Sequence, residues 1–586
     1  MNNTILFLEN KNQLIQKLKI KHSKTFKNIQ LYSNNSIIQR NNSKEIIQKK
    51  QTKKQKMTKQ IHIGIDLDYD QIIVTILDEK TYELATIEGL NKSLPTTISF
   101  DGKEFQVGEK PWKKHSDKTF FSNIISNPSD LKIETLDVFD YETELLDETK
   151  LALIIHHIKA IVSQKGTIQS VSCCIPNNCN LTAIERIRKA FEVNGFSETL
   201  FFPQGLAPFL FMFNFDAEVK KFLNYEKKHV IVDVSSGEIN FNFGKLNRKE
   251  NEKKVELTKW KTSTHNFDDI RQKLRNFVMK KCKENIGTVF TENDFSSAVK
   301  LGEFDEKVEQ MIVQLFDDVE SVRISFVTNT EPFVLEIATS EIVSEISDVV
   351  GKIVSEMKEF MQSLKIRGFV DFVGKFSRFV PLRNAIVEMI KSLKWKERYV
   401  LDCENIKSIG TSMIGKLREV FVSGKKDEKI DDDKIQLNWF DVEMKLPHEM
   451  ASVNVYGEQL DLTVRLMDDT IVARHEKDDG MQIVIGKYPM RMRLANYEEM
   501  EQKWQRMSGV VNTLIKHRNE WEKTKKSLLN YKNVIVNAAK ERSELEKIKT
   551  YVLEAIKNKE YNIETLTELK DMIAQFEGCP AVVVEK

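Results

Sequence analysis

The sequence predicts an α/β fold followed by a small antiparallel β subdomain and a C-terminal helical bundle. Three observations carry that reading. Between Ile61 and about Phe421, short apolar runs alternate with longer stretches of helical period, the pattern of strands and helices taken in turn. Three of the apolar runs, at 61–67, 230–234 and 371–373, lead into Asp or Gly at a tight turn, as a buried strand does where it ends. Beyond Ile435, apolar residues recur at every second position, and from about Tyr497 they recur at helical spacing.

Taken in order, residues 71–77 return the first strand as a hairpin. Residues 94–100 and 105–108 form the next pair, with Asp101-Gly102 in the turn. The stretch 150–165 has helical period. Residues 170–175 form a strand ended by Pro176, and a helix over 181–194 stops at Gly195, a residue suited to the left-handed turn that closes a helix. A lysine- and aspartate-rich run at 423–434 reads as a linker. After it, Ile435, Leu437 and Trp439 share one strand face, as do Leu460, Leu462, Val464 and Leu466, and then Met481, Ile483 and Ile485. Such alternation argues for a sheet with one wet side. Leu514, Trp521, Leu528, Leu545, Ile548, Val552 and Ile556 mark a helical bundle. The expected division is 57–422, 423–434, 435–495 and 496–578, with a tail at 579–586.

Composition narrows the function. Among 586 residues, Lys and Arg nearly balance Asp and Glu, giving a net charge of +2. That balance implies neither a nucleic-acid partner nor an acidic surface as partner. No apolar run approaches the roughly 20 residues that span a bilayer. The six cysteines are scattered without a zinc spacing and read as reduced thiols of a cytosolic protein. Residues 1–56 are rich in Asn, Gln, Lys and Ile, with Glu9 and Glu45 the only acids, and such sequence does not fold alone. They read as a disordered extension, as sequence upstream of a true start at Met57, or as a mitochondrial presequence with Arg40 its only arginine. The expected compartment is the cytoplasm, the nucleus included, or the mitochondrion if 1–56 is a presequence.

The loops and their neighbours resemble the nucleotide-binding domain of the heat shock protein 70 family, an actin-like fold of two lobes. Cys174-Ile175-Pro176-Asn177-Asn178-Cys179, with Arg186, Ala190 and Gly195-Phe196 behind it, is similar to the family's Val-Pro-x-x-Phe segment and following helix. Phe202-Pro203-Gln204-Gly205-Leu206-Ala207 is similar to its Glu-Pro-Thr-Ala-Ala stretch. Thr264-His265-Asn266-Phe267-Asp268-Asp269 resembles its His-Leu-Gly-Gly-Glu-Asp-Phe-Asp motif without the glycines. Ile409-Gly410-Thr411-Ser412 stands where the family starts its final Ala-x-Gly-Ala-Ala helix. A helix over 309–327 and the strand 333–337 resemble the heat shock protein 110-like branch.

The resemblance implies Mg-ATP or Mg-ADP as cofactor, bound weakly or lost, because the departures fall on the phosphate loops. Glycines there let backbone N–H groups approach phosphate, and carboxylates position magnesium. Asp66 and Asp233 keep the magnesium-side carboxylates. The family's Gly-Thr-Thr becomes Asp68-Tyr69-Asp70, whose ring blocks backbone approach. Its two acids are either ordinary turn residues or partners of Asp66 in a new metal site. In the second loop Ser235, Ser236 and Gly237 remain as phosphate donors, and Glu238 replaces a threonine. On the adenosine side Gly374 and Arg378 survive, while Lys375 and Phe376 replace small residues. Glu320 and Arg323 are assigned to the helix covering the other face of the base. No counterpart of the catalytic lysine stands at 121–125, and Phe202 replaces a carboxylate, so little or no hydrolysis is expected.

Three functions follow from the resemblance. The first is a nucleotide exchange factor and holdase that works with a conventional heat shock protein 70 chaperone and binds unfolded polypeptides. The second is a conventional ATP-dependent folding chaperone. The third is a pseudo-ATPase scaffold independent of nucleotide.

Overall fold

The computed structural model describes residues 59–77, 82–84, 93–108, 115–128, 130–179, 181–197, 199–215, 226–249, 252–284, 297–326, 333–364, 366–398 and 404–413, strands between 428 and 489, and residues 497–539 and 545–575. The expected extension 1–56, most of the linker 423–434 and the tail 579–586 lie outside these residues. The chain is a mixed α/β protein with several sheets. Among the described residues no helix is long and apolar enough to cross a membrane.

Two sheets share one topology. In the first, Gln60–Leu67, Gln71–Leu77 and Tyr82–Leu84 form an antiparallel meander, and Thr167–Ile175 and Leu200–Pro203 extend the other edge in parallel. In the second, Glu226–Val234, Ile239–Lys249 and Glu252–Thr262 form the meander, and Phe369–Val373 and Lys396–Arg398 are added in parallel. Parallel neighbours need crossover connections. Helices Asp147–Val162 and Leu181–Glu192 supply them in the first sheet, and Thr339–Ser363 and Val380–Ser392 in the second.

Burial explains why the first strand reads as a continuous apolar run. Ile61, Ile63, Ile65 and Leu67 are all at most 1% exposed, as expected of a strand covered on both faces. Gly64 has no side chain because a Cβ there would meet the Ser408 carbonyl and the Ser412 backbone. A helix over 406–413 therefore lies directly on the strand, with the Thr75 and Ser408 hydroxyls 2.7 Å apart beside it. One core fills the first sheet and its helices, and another fills the second. A smaller cluster that includes Cys174, Phe202, Phe209, Ile231, Val373 and Ile406 joins the two sheets.

The structure corrects one expected element. The stretch 309–327 is not one helix: Ala298–Gln314 ends it, and Ser321–Phe326 pairs antiparallel with Phe333–Ala338. Val322, Ile324 and Phe326 are buried while Arg323 and Ser325 are exposed, so the local period is two and the hairpin buries one face. Further on, Thr463–Met467, Thr470–Glu476 and Gln482–Pro489 form an antiparallel sheet. The helices Tyr497–Ala539, Glu546–Lys557 and Ile563–Ala574 follow.

Two glycines test this packing in opposite directions. Gly64→Ala forces the 406–413 helix off the strand and lowers stability by about 1–3 kcal/mol or more. Gly351→Ala, in helix Thr339–Ser363 with open space around it, raises stability by about 0.5–1 kcal/mol. Urea unfolding of the two variants reads both signs.

Candidate functional site

The two meanders face each other through their hairpin turns. Asp66 ends the first strand of one sheet and Asp233 the corresponding strand of the other. Between them stands Lys407, from the helix that Gly64 admits. Its Nζ lies 3.3 Å from Asp233 Oδ2, 3.6 Å from Asp66 Oδ2 and 3.6 Å from Asp68 Oδ2. It also donates to Ser235 Oγ at 2.9 Å, and that hydroxyl donates to Asp233 Oδ1 at 3.2 Å. All four charged side chains are at most 2% exposed. Asp66 Oδ1 accepts from Gln204 Nε2 at 2.8 Å and from the Cys174 thiol at 3.3 Å.

The electrostatics follow from that arrangement. Burial alone would push Lys407 down, but Asp233, Asp66 and Asp68 outweigh it and hold the ammonium well above the usual lysine range. One cation does not neutralise every acid around it. Burial pushes Asp66 up against the pull of Lys407, and it pushes Asp68 to about 7. Glu238, in the second turn, is likewise pushed to about 7 by burial. The Cys174 thiol is also raised by burial, in keeping with its role as donor to Asp66. A buried site with excess acid holds protons, because an unpaired buried carboxylate is costlier than a neutral one.

Tyr69, in the first turn, reaches across to the second. Its ring lies on Gly237, where a Cβ would overlap it. Its hydroxyl bonds Asn178 Oδ1 at 3.2 Å, and Phe121 packs edge-on at 6.1 Å between centroids. Glu238 Oε1 accepts from the Asn177 backbone at 3.1 Å and from Asn240 Nδ2 at 2.7 Å. Asp70 lies 3.8 Å from Arg271, whose guanidinium also pairs with Asp268 and Glu309. Arg271 in turn stands 5.1 Å from the Phe376 ring centroid. Phe376 is 1% exposed and stacks on Phe267 at 3.9 Å. Gly374, at φ 86°, is required beside it: a Cβ would come within 2.6 Å of both Asp233 Oδ1 and the Val234 carbonyl.

Of the residues expected to form a nucleotide site, the structure brings together Asp66, Asp233, Ser235, Gly237 and Gly374. Ser236 is buried beside them in the same turn, and its hydroxyl has no hydrogen-bond partner. Arg378 stands apart, 5.5 Å from the Phe316 ring and 3.6 Å from Glu404. Glu320 and Arg323 are not on a helix over the cleft. Glu320 immediately precedes the hairpin described above, and Arg323 lies within it, paired with Glu336 and 69% exposed along its side chain. Lys407 carries no sign of its role in the sequence. Its partners lie more than a hundred residues away, and one helix turn before Gly410 it reads as a surface lysine. Tyr69 is where the sequence places it, as a ring in the turn.

These residues do not fit a magnesium nucleotide. The convergent aspartates already share an ammonium. The ring of Tyr69 occupies the approach to the Gly237 backbone, and Phe376 is packed into the core.

Two measurements check this electrostatic reading. Lys407→Met leaves buried carboxylates without their cation and costs about 3–5 kcal/mol. Adding Asp68→Asn recovers part of that loss, a coupling read from a double-mutant cycle in urea. Asp68 and Glu238 carry folded-state pKa values near 7, above the carboxylate values of about 4 in an unfolded chain. The folded state therefore binds extra protons between about pH 4 and 7. Their contribution is fully present below that window and is lost as pH rises to 7. The urea midpoint should fall as pH rises from about 5 to about 7, within that window, with a shallower fall in Asp68→Asn.

Comparison with known proteins assigns no family. No family model matches the chain, and no curated protein matches it.

Proposed function

We propose that this chain is a nucleotide-independent pseudo-ATPase of the heat shock protein 70 type, acting as a scaffold or holdase for unfolded polypeptides beside a conventional chaperone of that family. Its two like sheets are read as the lobes of an actin-like fold, in support of which each repeats a meander followed by two parallel strands. The observation that carries the proposal is Lys407. An ammonium held among Asp66, Asp68 and Asp233 takes the role that a divalent cation has in an active member. It is part of the chain and does not come and go.

Tyr69 and Phe376 support the same reading from the phosphate and base sides of the cleft. Catalysis of phosphoryl transfer rests on charge stabilisers aimed at the phosphate, and Lys407 is turned toward carboxylates instead. An ATP-driven cycle needs two states that the nucleotide binds unequally. A cleft closed by its own side chains offers nucleotide no such difference, which moves the weight from the exchange-factor and ATP-cycling readings to the scaffold.

The deciding experiment is titration calorimetry of the full chain with Mg-ATP and Mg-ADP. No heat of binding is expected, and the melting temperature should be the same with either nucleotide or with a chelator present. Micromolar binding of either nucleotide overturns the proposal.

A further inference from the structure

Glu148 and Arg186 form an ion pair at zero exposure, with Nε 2.6 Å from Oε1 and Nη2 2.9 Å from Oε2. The Arg186 Nη1 group donates to the carbonyls of Asn127, Pro128 and Asp130 at 3.2, 3.4 and 3.2 Å. A bidentate pair with its remaining donors satisfied is the form in which buried charges are tolerated. Glu148 Oε1 takes one more donor, the indole N–H of Trp504 at 3.3 Å. Trp504 belongs to helix Tyr497–Ala539, far along the chain from the first sheet.

The contact is one of several along that helix. Met500, Trp504, Met507, Val511 and Leu514 are each at most 4% exposed and belong to the same core as the first sheet. Their spacing alternates between four and three residues, the seam of a helix packed along its length. Lys189 stands 5.5 Å from the Trp504 ring and 3.7 Å from Glu501. Arg518 lies over Phe105 at 4.9 Å, and His517 is 5.1 Å from the Tyr141 ring. Past the next turn, Lys559 pairs with Asp101 at 2.7 Å and Glu104 at 3.0 Å.

We infer that helix Tyr497–Ala539 is a fixed strut of the first sheet, not a moving lid, and that Trp504 sets its register through the Glu148–Arg186 pair. Apolar burial attaches the helix but tolerates sliding. A shift of one turn, about 5.4 Å, would return an apolar stripe to the core and leave the indole N–H without its acceptor. The polar node therefore selects one register among several of similar burial. The inference does not rest on the state of the cleft.

Hydrogen exchange on the full chain, read by mass spectrometry, tests it. In the unaltered protein, amides at 500–518 should be as protected as those at 61–67. Trp504→Phe keeps a ring and loses the N–H. It should speed exchange at 500–518 by about tenfold, the loss of one hydrogen bond to a charged acceptor, and leave 230–243 unchanged. Leu569→Ala, a cavity in the distal bundle, serves as control and should leave 500–518 unchanged. Rapid exchange at 500–518 in the unaltered protein overturns the strut. No effect of Trp504→Phe, or an equal effect of Leu569→Ala, overturns the register role of Trp504.

Discussion

The rest of the molecule is arranged around one ammonium group held among buried carboxylates. Lys407 touches Asp66 and Asp68 from one sheet and Asp233 from the other. Taking charges out of water is expensive, and their attraction offsets that cost only when the geometry is good and the remaining polar atoms are bonded. Ser235, Gln204 and Cys174 each bond one of the aspartates and offset part of that cost, while the Gln204 side-chain carbonyl and the Ser236 hydroxyl have no hydrogen-bond partner. Burial pushes both Asp68 and Glu238 to about 7, and neighbouring acids add to the shift. Such a site specifies how the two sheets meet more than it strengthens the fold.

The retained glycines take on a different meaning in this setting. In a phosphate loop, glycine is kept so that the backbone can approach an anion. Here Gly237 is kept because the Tyr69 ring lies where its Cβ would be. Gly374 is kept for its positive φ and for the closeness of Asp233 and the Val234 carbonyl. Gly64 is kept because a helix backbone crosses it. Each glycine answers to a neighbour within the chain. Packing within the chain is therefore enough to require a glycine at each of these three positions.

The C-terminal helices extend the same logic. Helix Tyr497–Ala539 is 43 residues long and lies in one core that the first sheet shares with Glu546–Lys557 and Ile563–Ala574. An element buried along its length in one core does not move without opening it. Its charged residues at seam positions are accommodated by rings, as with Arg518 over Phe105 and Lys525 over Trp521 at 4.3 Å, where the aliphatic stem is buried and the cation meets a π face.

The sequence by itself determined the element types and their order. Continuous burial in 61–67, the hairpin return at 71–77, the Pro176 and Gly195 boundaries and the helical seam from Met500 onward are local patterns, and local period and turn chemistry suffice to read them. Asp66, Asp233, Gly237 and Gly374 were legible as loop residues for the same reason. The stretch 321–326 was given to a helix by the family resemblance, although Val322, Ile324 and Phe326 already have period two. Only the tertiary structure decided what fills the cleft. Lys407 stands more than 170 residues from Asp233 and more than 330 from Asp66, and no spacing within one helix tells a buried lysine from an exposed one. Its place depends on the bare face of Gly64, on the pairing of two distant strands and on the crossing of one helix, all of which are properties of packing.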